Sequence, residues 1–150
     1  MKPFILFVFV SILSLFVLKI ISRRYDLKFS IRIGMSIMLL FTALGHFLFP
    51  DGMALMVPEF IPFKREFIYF TAILEIAGAV GLHIPQLRLL TSWLLILFFL
   101  LMLPANIKAS LDHLNYQKGT FDGSGVAYLW FRIPLQILFI LSVYFSSIKK

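Results

Sequence analysis

"FILFVFVSILSLFVLKII", Phe4–Ile21, holds two serines and one lysine among otherwise apolar side chains. A run of this length is what a helix needs to cross the hydrocarbon core of a bilayer, about 20 residues at 1.5 Å per residue. The basic cluster comes at and after the end of the run, at Lys19, Arg23, Arg24 and Lys28. A cleaved signal peptide has the opposite order and a small-residue site, so this run reads as a retained helix. Four more apolar runs come after it: Phe29–Phe49, Phe67 to about Ile84, Leu87 to about Ile107, and Tyr128–Ser147.

The bulk composition agrees. Of 150 residues 61% are hydrophobic and 14% charged, and 18 are phenylalanine, well outside the range of soluble domains. The expected fold is all-α, a polytopic membrane helix bundle with five spans and no large extramembrane domain. The net charge of +7 flanks the apolar runs and forms no stripe interleaved with aromatics, so nucleic acid is not an expected partner; the lipid bilayer is. Zero cysteines exclude a disulfide framework, a thiol relay and thiolate-held iron–sulfur or haem centres.

Short loops rich in lysine and arginine stay in the cytoplasm. Placing the first loop inside puts Lys19, Arg23, Arg24, Lys28, Arg32, Arg88, Lys149 and Lys150 at inner boundaries, and leaves Lys2, Lys64, Arg65, Lys108 and Lys118 outside. The expected topology has the N-terminus outside and the C-terminus inside a bacterial cytoplasmic membrane. The outer connection "PDGMALMVPEFIPFKR", Pro50–Arg65, is apolar but broken by three prolines and a glycine. It is expected to lie in the interface or dip into the bundle as a lid. The second, "DHLNYQKGTFDGSG", Asp112–Gly125, reads as a flexible loop.

Charged groups at membrane depth cost on the order of 3 kcal/mol each on insertion scales and so face the bundle interior, a partner or a wet cavity. His46, Glu75, Asn106 and Arg132 fall in the middle or outer half of four different runs, and are expected to converge on one outward-facing pocket. Gln136 follows Arg132, and His46 follows Thr42, at i+4 on the same helical face. Thr42 and Glu59 are expected at the pocket rim. Gly45, Ala77, Gly78 and Gly81 are expected to let helices approach closely. Pro104 and Pro134 free backbone carbonyls that Asn106, Gln136 or Arg132 can satisfy.

Two readings of this cluster stay open: a binding site, or an ion pair between Glu75 and Arg132 that fixes helix register. His83 and His113 read as surface residues. No metal motif, nucleophile–base pair, phosphate loop or dinucleotide fingerprint is present, so no catalytic residue and no metal site is expected.

The ordered motifs "GHFLFP", "MVPEFIPFKREFIYFTAILEIAGAVGLHIPQLR", "LPANI" and "WFRIPLQ" resemble the DoxX family of small bacterial membrane proteins over about Ile33–Tyr144. The resemblance implies a four-helix core in residues 29–150, to which residues 1–28 add a helix and a basic loop. It also implies an accessory role in membrane redox or stress systems, with a quinone or another small amphiphile as ligand at His46, Glu75, Asn106, Arg132 and Gln136. A non-catalytic membrane subunit or assembly chaperone, acting on a membrane protein partner or as a homo-oligomer, is the alternative. A small-solute transporter is disfavoured, because five short helices lack an inverted repeat.

Overall fold

The computed structural model describes residues 2–23 and 25–149. Each apolar run is helical: α1 Lys2–Ser22, α2 Leu27–Leu48, α4 Lys64–Gly81, α5 Arg88–Leu111 and α6 Val126–Val143, with α6 continuing through a π-helical turn, Tyr144–Ile148. A short α3, Pro50–Ala54, opens the lid segment. Among the described residues there is no β-strand, and one isolated bridge, Asn115 to Thr120, folds the second outer loop. Arg24 and Lys150, expected at the inner boundary, lie outside the described residues.

Local chemistry sets the boundaries. Asp26 caps α2 by accepting a hydrogen bond from the Phe29 amide at 2.8 Å, satisfying one of the free donors of the first turn. Pro50 stops α2 and begins α3 at the position where its missing amide proton is harmless. Among the described residues four helices are long and apolar enough to cross a membrane: Lys2–Ser22, Leu27–Leu48, Arg88–Leu111 and Val126–Ile148. α4 differs, because its 18 residues include Lys64, Arg65 and Glu66 in the first turn and Glu75 at mid-length.

α2 is the centre of the bundle, packed most extensively against α1 and α4. Its neighbours run antiparallel to it. Lys28 Nζ donates to the Lys149 carbonyl at 2.7 Å, Arg32 Nη1 to the Ser146 carbonyl at 2.6 Å, and Ser36 Oγ to the Ala79 carbonyl at 2.9 Å. The start of α2 therefore lies beside the ends of α4 and α6. The core joins Met35, Met38 and Leu39 of α2 to Leu95, Phe99 and Phe139 of α5 and α6. Phe7 docks α1 edge-on against Phe139, ring centroids 5.6 Å apart.

Close approaches are local. A Cβ on Gly34 would sit 2.9 Å from the Phe7 carbonyl, so α1 and α2 meet backbone to backbone there. Gly78 and Gly81 press α4 onto Leu95 and Thr91 of α5. Gly45 departs from the expectation, since its space faces only Met53 of α3 at an ordinary 3.6 Å. Ala77 is also exposed rather than at a helix contact. The outward faces are apolar: on α1 alone Ile5, Phe9, Phe16 and Ile20 are more than half exposed. A surface of that kind suits lipid and not water.

The lid is tied down. Lys108 Nζ donates to the carbonyls of Leu55 and Val57 at 2.9 and 3.4 Å. Arg65 pairs with Asp51 at 3.5 Å, and Gly52 abuts the Tyr116 carbonyl so closely that no side chain would fit.

Candidate functional site

The polar residues at membrane depth form two groups, one on α2 and α4 and one on α5 and α6. In the first, Thr71 on α4 donates its only hydroxyl proton to the Ile68 carbonyl at 2.7 Å. Its oxygen is then an acceptor for His46, whose Nδ1 lies 3.1 Å away. This assigns the proton of neutral His46 to Nδ1 and leaves Nε2 bare. His46 Nε2 faces Glu75 Oε2 at 4.0 Å. Two acceptors face one another, so the arrangement calls for one proton between them or a donor from outside. Glu75 is 6% exposed and its Oε2 is buried with no hydrogen-bond partner among the described residues.

In the second group, Asn106 Nδ2 donates to the Met102 carbonyl at 3.0 Å, which turns Oδ1 toward α6, where it accepts from Arg132 Nε at 3.2 Å. The guanidinium also lies 5.8 Å from the centre of the Tyr128 ring, a cation–π distance. One turn on, Gln136 Nε2 donates to the Phe99 carbonyl while its Oε1 is buried without a partner among the described residues.

The expected Glu75–Arg132 ion pair does not form among the described residues. Asn106 and Tyr128 hold the guanidinium on the α5–α6 side, and the carboxylate instead faces His46. Thr42 turns its hydroxyl back onto the Leu39 and Met38 carbonyls of its own helix at 2.9 and 3.2 Å. Glu59 is exposed on the lid and makes no hydrogen bond or ion pair among the described residues.

Sequence reasoning missed Thr71, Tyr116 and Tyr128. Tyr116, from the second outer loop, lies within the field of Arg132, and burial pushes its phenol above the ordinary range. His113 is exposed with φ 51°, its ring against Gly125. His83 is exposed as expected, and its Nε2 meets Ser36 Oγ at 2.9 Å while its ring stands edge-on to Phe29. Among the described residues no three metal-ligating side chains gather. Two clefts open to the surface elsewhere. One, of about 340 Å³, lies between α1 and Phe41, and one of about 410 Å³ lies between the Leu48–Leu55 stretch and Tyr116–Gly119.

The family model for a domain of unknown function, DUF8561, matches residues 35–147. The chain belongs to this family. The match begins within α2 and ends in the π turn after α6, leaving α1 outside. No curated protein and no solved structure matches the chain.

Proposed function

We propose that this DUF8561 protein is a bacterial inner-membrane bundle of five spans whose outer half binds the headgroup of a quinone or another small amphiphile. In this reading α4 is the fifth span, its mid-length Glu75 facing inward, and the N-terminus lies outside with the C-terminus in the cytoplasm. The resemblance to the DoxX family supports an accessory place in a membrane redox or stress-response system.

The observation that carries the reading is Glu75 Oε2, an acceptor buried at mid-helix, 4.0 Å from His46 Nε2 and with no hydrogen-bond partner among the described residues. Leaving such a group unsatisfied costs about 1–3 kcal/mol, and a ligand hydroxyl placed there removes the cost. Gln136 Oε1 is a second acceptor of the same kind. Arg132 and Asn106 supply donors for a carbonyl. The combination matches a headgroup that carries both oxygen types. His46 and Glu75 hold the proton such a headgroup gains or loses.

One observation favours a second reading, a membrane subunit or assembly factor whose polar cluster is structural: Thr71, Asn106, Arg132 and Gln136 already bond groups within the bundle. Organic extraction of detergent-purified protein separates the two. Mass spectrometry should find a quinone or a specific amphiphile enriched in the native extract and absent from the E75Q/R132Q double variant. The same bulk lipid in both extracts would support the structural cluster. For the orientation, a cysteine introduced into the 112–125 loop should label from outside intact cells, and labelling only after lysis would reverse it.

A further inference from the structure

The end of the bundle away from this site has an unbalanced charge. Lys19, Arg23, Lys28, Arg32, Arg88 and Lys149 gather where α1, α4 and α6 end and α2 and α5 begin. Among the described residues Asp26 is the one carboxylate at that end, and it is engaged in capping α2. At the opposite end Arg65 pairs with Asp51 and Lys108 with Asp112, and Glu59, Glu66 and Asp122 add further carboxylates.

Arg32 lies deepest in this end, 8% exposed. Nη1 donates to the Ser146 carbonyl and the guanidinium lies 5.6 Å from the Phe29 ring centre, but Nε is buried with no partner among the described residues. The Phe29 ring that faces Arg32 also stands 5.9 Å from the His83 ring, and Arg88 Nε donates at 3.1 Å to the carbonyl of Leu82, the residue before His83. Burial first, then these two charges, hold the His83 imidazole below the ordinary histidine range. Arg88 is also the first residue of α5, a 24-residue helix that no side chain caps, so the positive end of its dipole adds to the same field. Leu89, Leu90, Trp93 and Leu94, all more than half exposed, continue from it along α5. An anion held here has an apolar wall beside it, which fits a molecule with acyl chains.

We propose that this end binds the phosphate of an anionic phospholipid, seated between Arg32, His83 and Arg88 at the start of α5, with its chains along Leu89, Leu90 and Trp93. The phosphodiester supplies the acceptor that Arg32 Nε–H lacks and the counter-charge that the cluster lacks. The assignment requires only that the bundle lie in a bilayer, and it is independent of the ligand at His46 and Glu75.

The chain has two tryptophans, so W130F leaves Trp93 as the sole reporter beside the site. Full-length W130F is reconstituted with phosphatidylglycerol or phosphatidylcholine carrying brominated chains, which quench a tryptophan they touch. Brominated phosphatidylglycerol should quench Trp93 in preference to brominated phosphatidylcholine. Adding R88Q should cut that preference about fivefold, equivalent to the ~1 kcal/mol of one basic side chain near an anionic surface. Adding K118Q, at the other end, should leave it unchanged. Equal quenching by the two lipids, or a preference that R88Q does not reduce, would overturn the site. Reversal of the quenching by millimolar inorganic phosphate would overturn the assignment to lipid. Arg32 and Arg88 each hold a backbone carbonyl as well, so H83Q, which breaks no backbone bond, is the second variant: it too should reduce the preference, and an unchanged preference in H83Q would overturn the place of His83 in the site.

Discussion

Replacing Gln136 with leucine should leave the ligand-free protein at least as stable as the native one. Gln136 contributes one hydrogen bond, from Nε2 to the Phe99 carbonyl, and a bond of this kind between membrane helices averages about 0.6 kcal/mol. The Phe99 carbonyl keeps its place in the α5 ladder when the side chain is gone. Against that loss stands the buried Oε1 without a donor, whose removal returns about 1–3 kcal/mol. Leucine is close to glutamine in volume, so no cavity of consequence opens. The balance is a gain of about 0.5–2 kcal/mol. Unfolding of protein stripped of bound amphiphile, titrated with a denaturing detergent and followed by tryptophan fluorescence, measures it. A loss of more than about 1 kcal/mol would refute the reasoning, because it would mean that both ends of Gln136 hold the helices together.

Other consequences are as direct. A double-mutant cycle joining N106L and R132Q should show a coupling of about 0.5–3 kcal/mol, larger than the cycle joining E75Q and R132Q, since the guanidinium bonds Asn106 at 3.2 Å and does not pair with Glu75; the same unfolding assay reads both. G34L should weaken the docking of α1 by about 1–3 kcal/mol, because its side chain would enter the space between Gly34 and the Phe7 carbonyl; thermal melts compared with native protein and with G45L, where space is ordinary, report it. His83 has a folded pKa below that of the unfolded chain, so folding releases protons. Its contribution is complete above the ordinary histidine value of about 6.5 and is lost as the pH falls through the lower folded value. Melting temperatures of native protein should fall on acidification below that point, and those of H83Q should fall less.

The helices were legible because they rest on one-dimensional facts. Apolar runs of the right length locate α1, α2, α5 and α6, although the run read from Phe29 missed the first turn of α2, which Asp26 caps. The charges of α4 were legible too, but whether this helix crosses the membrane depends on what Glu75 faces. Depth alone picked out His46, Glu75, Asn106 and Arg132. It did not give their rotation about each helix axis, and opposite charges at similar depth suggested a Glu75–Arg132 pair that Asn106 and His46 replace. Thr71 was invisible because a threonine on an apolar helix signals nothing until its one proton is seen committed to the Ile68 carbonyl. Arg32 reads from sequence as a boundary cation. Its burial follows from the end of α6 resting on α2, a contact separated by 114 positions in the chain.

The central claim is that the acceptors around Glu75 and Gln136 belong to a ligand site. Its most direct test is a calorimetric titration of stripped, detergent-purified protein with a short-chain quinone and with the corresponding quinol. Saturable binding of one of them by native protein, lost in E75Q and weakened at least tenfold in Q136L while that variant stays folded, is the predicted result. Binding that Q136L and E75Q leave unchanged, or no saturable binding by native protein to either form, would contradict it and return the polar cluster to a purely structural role.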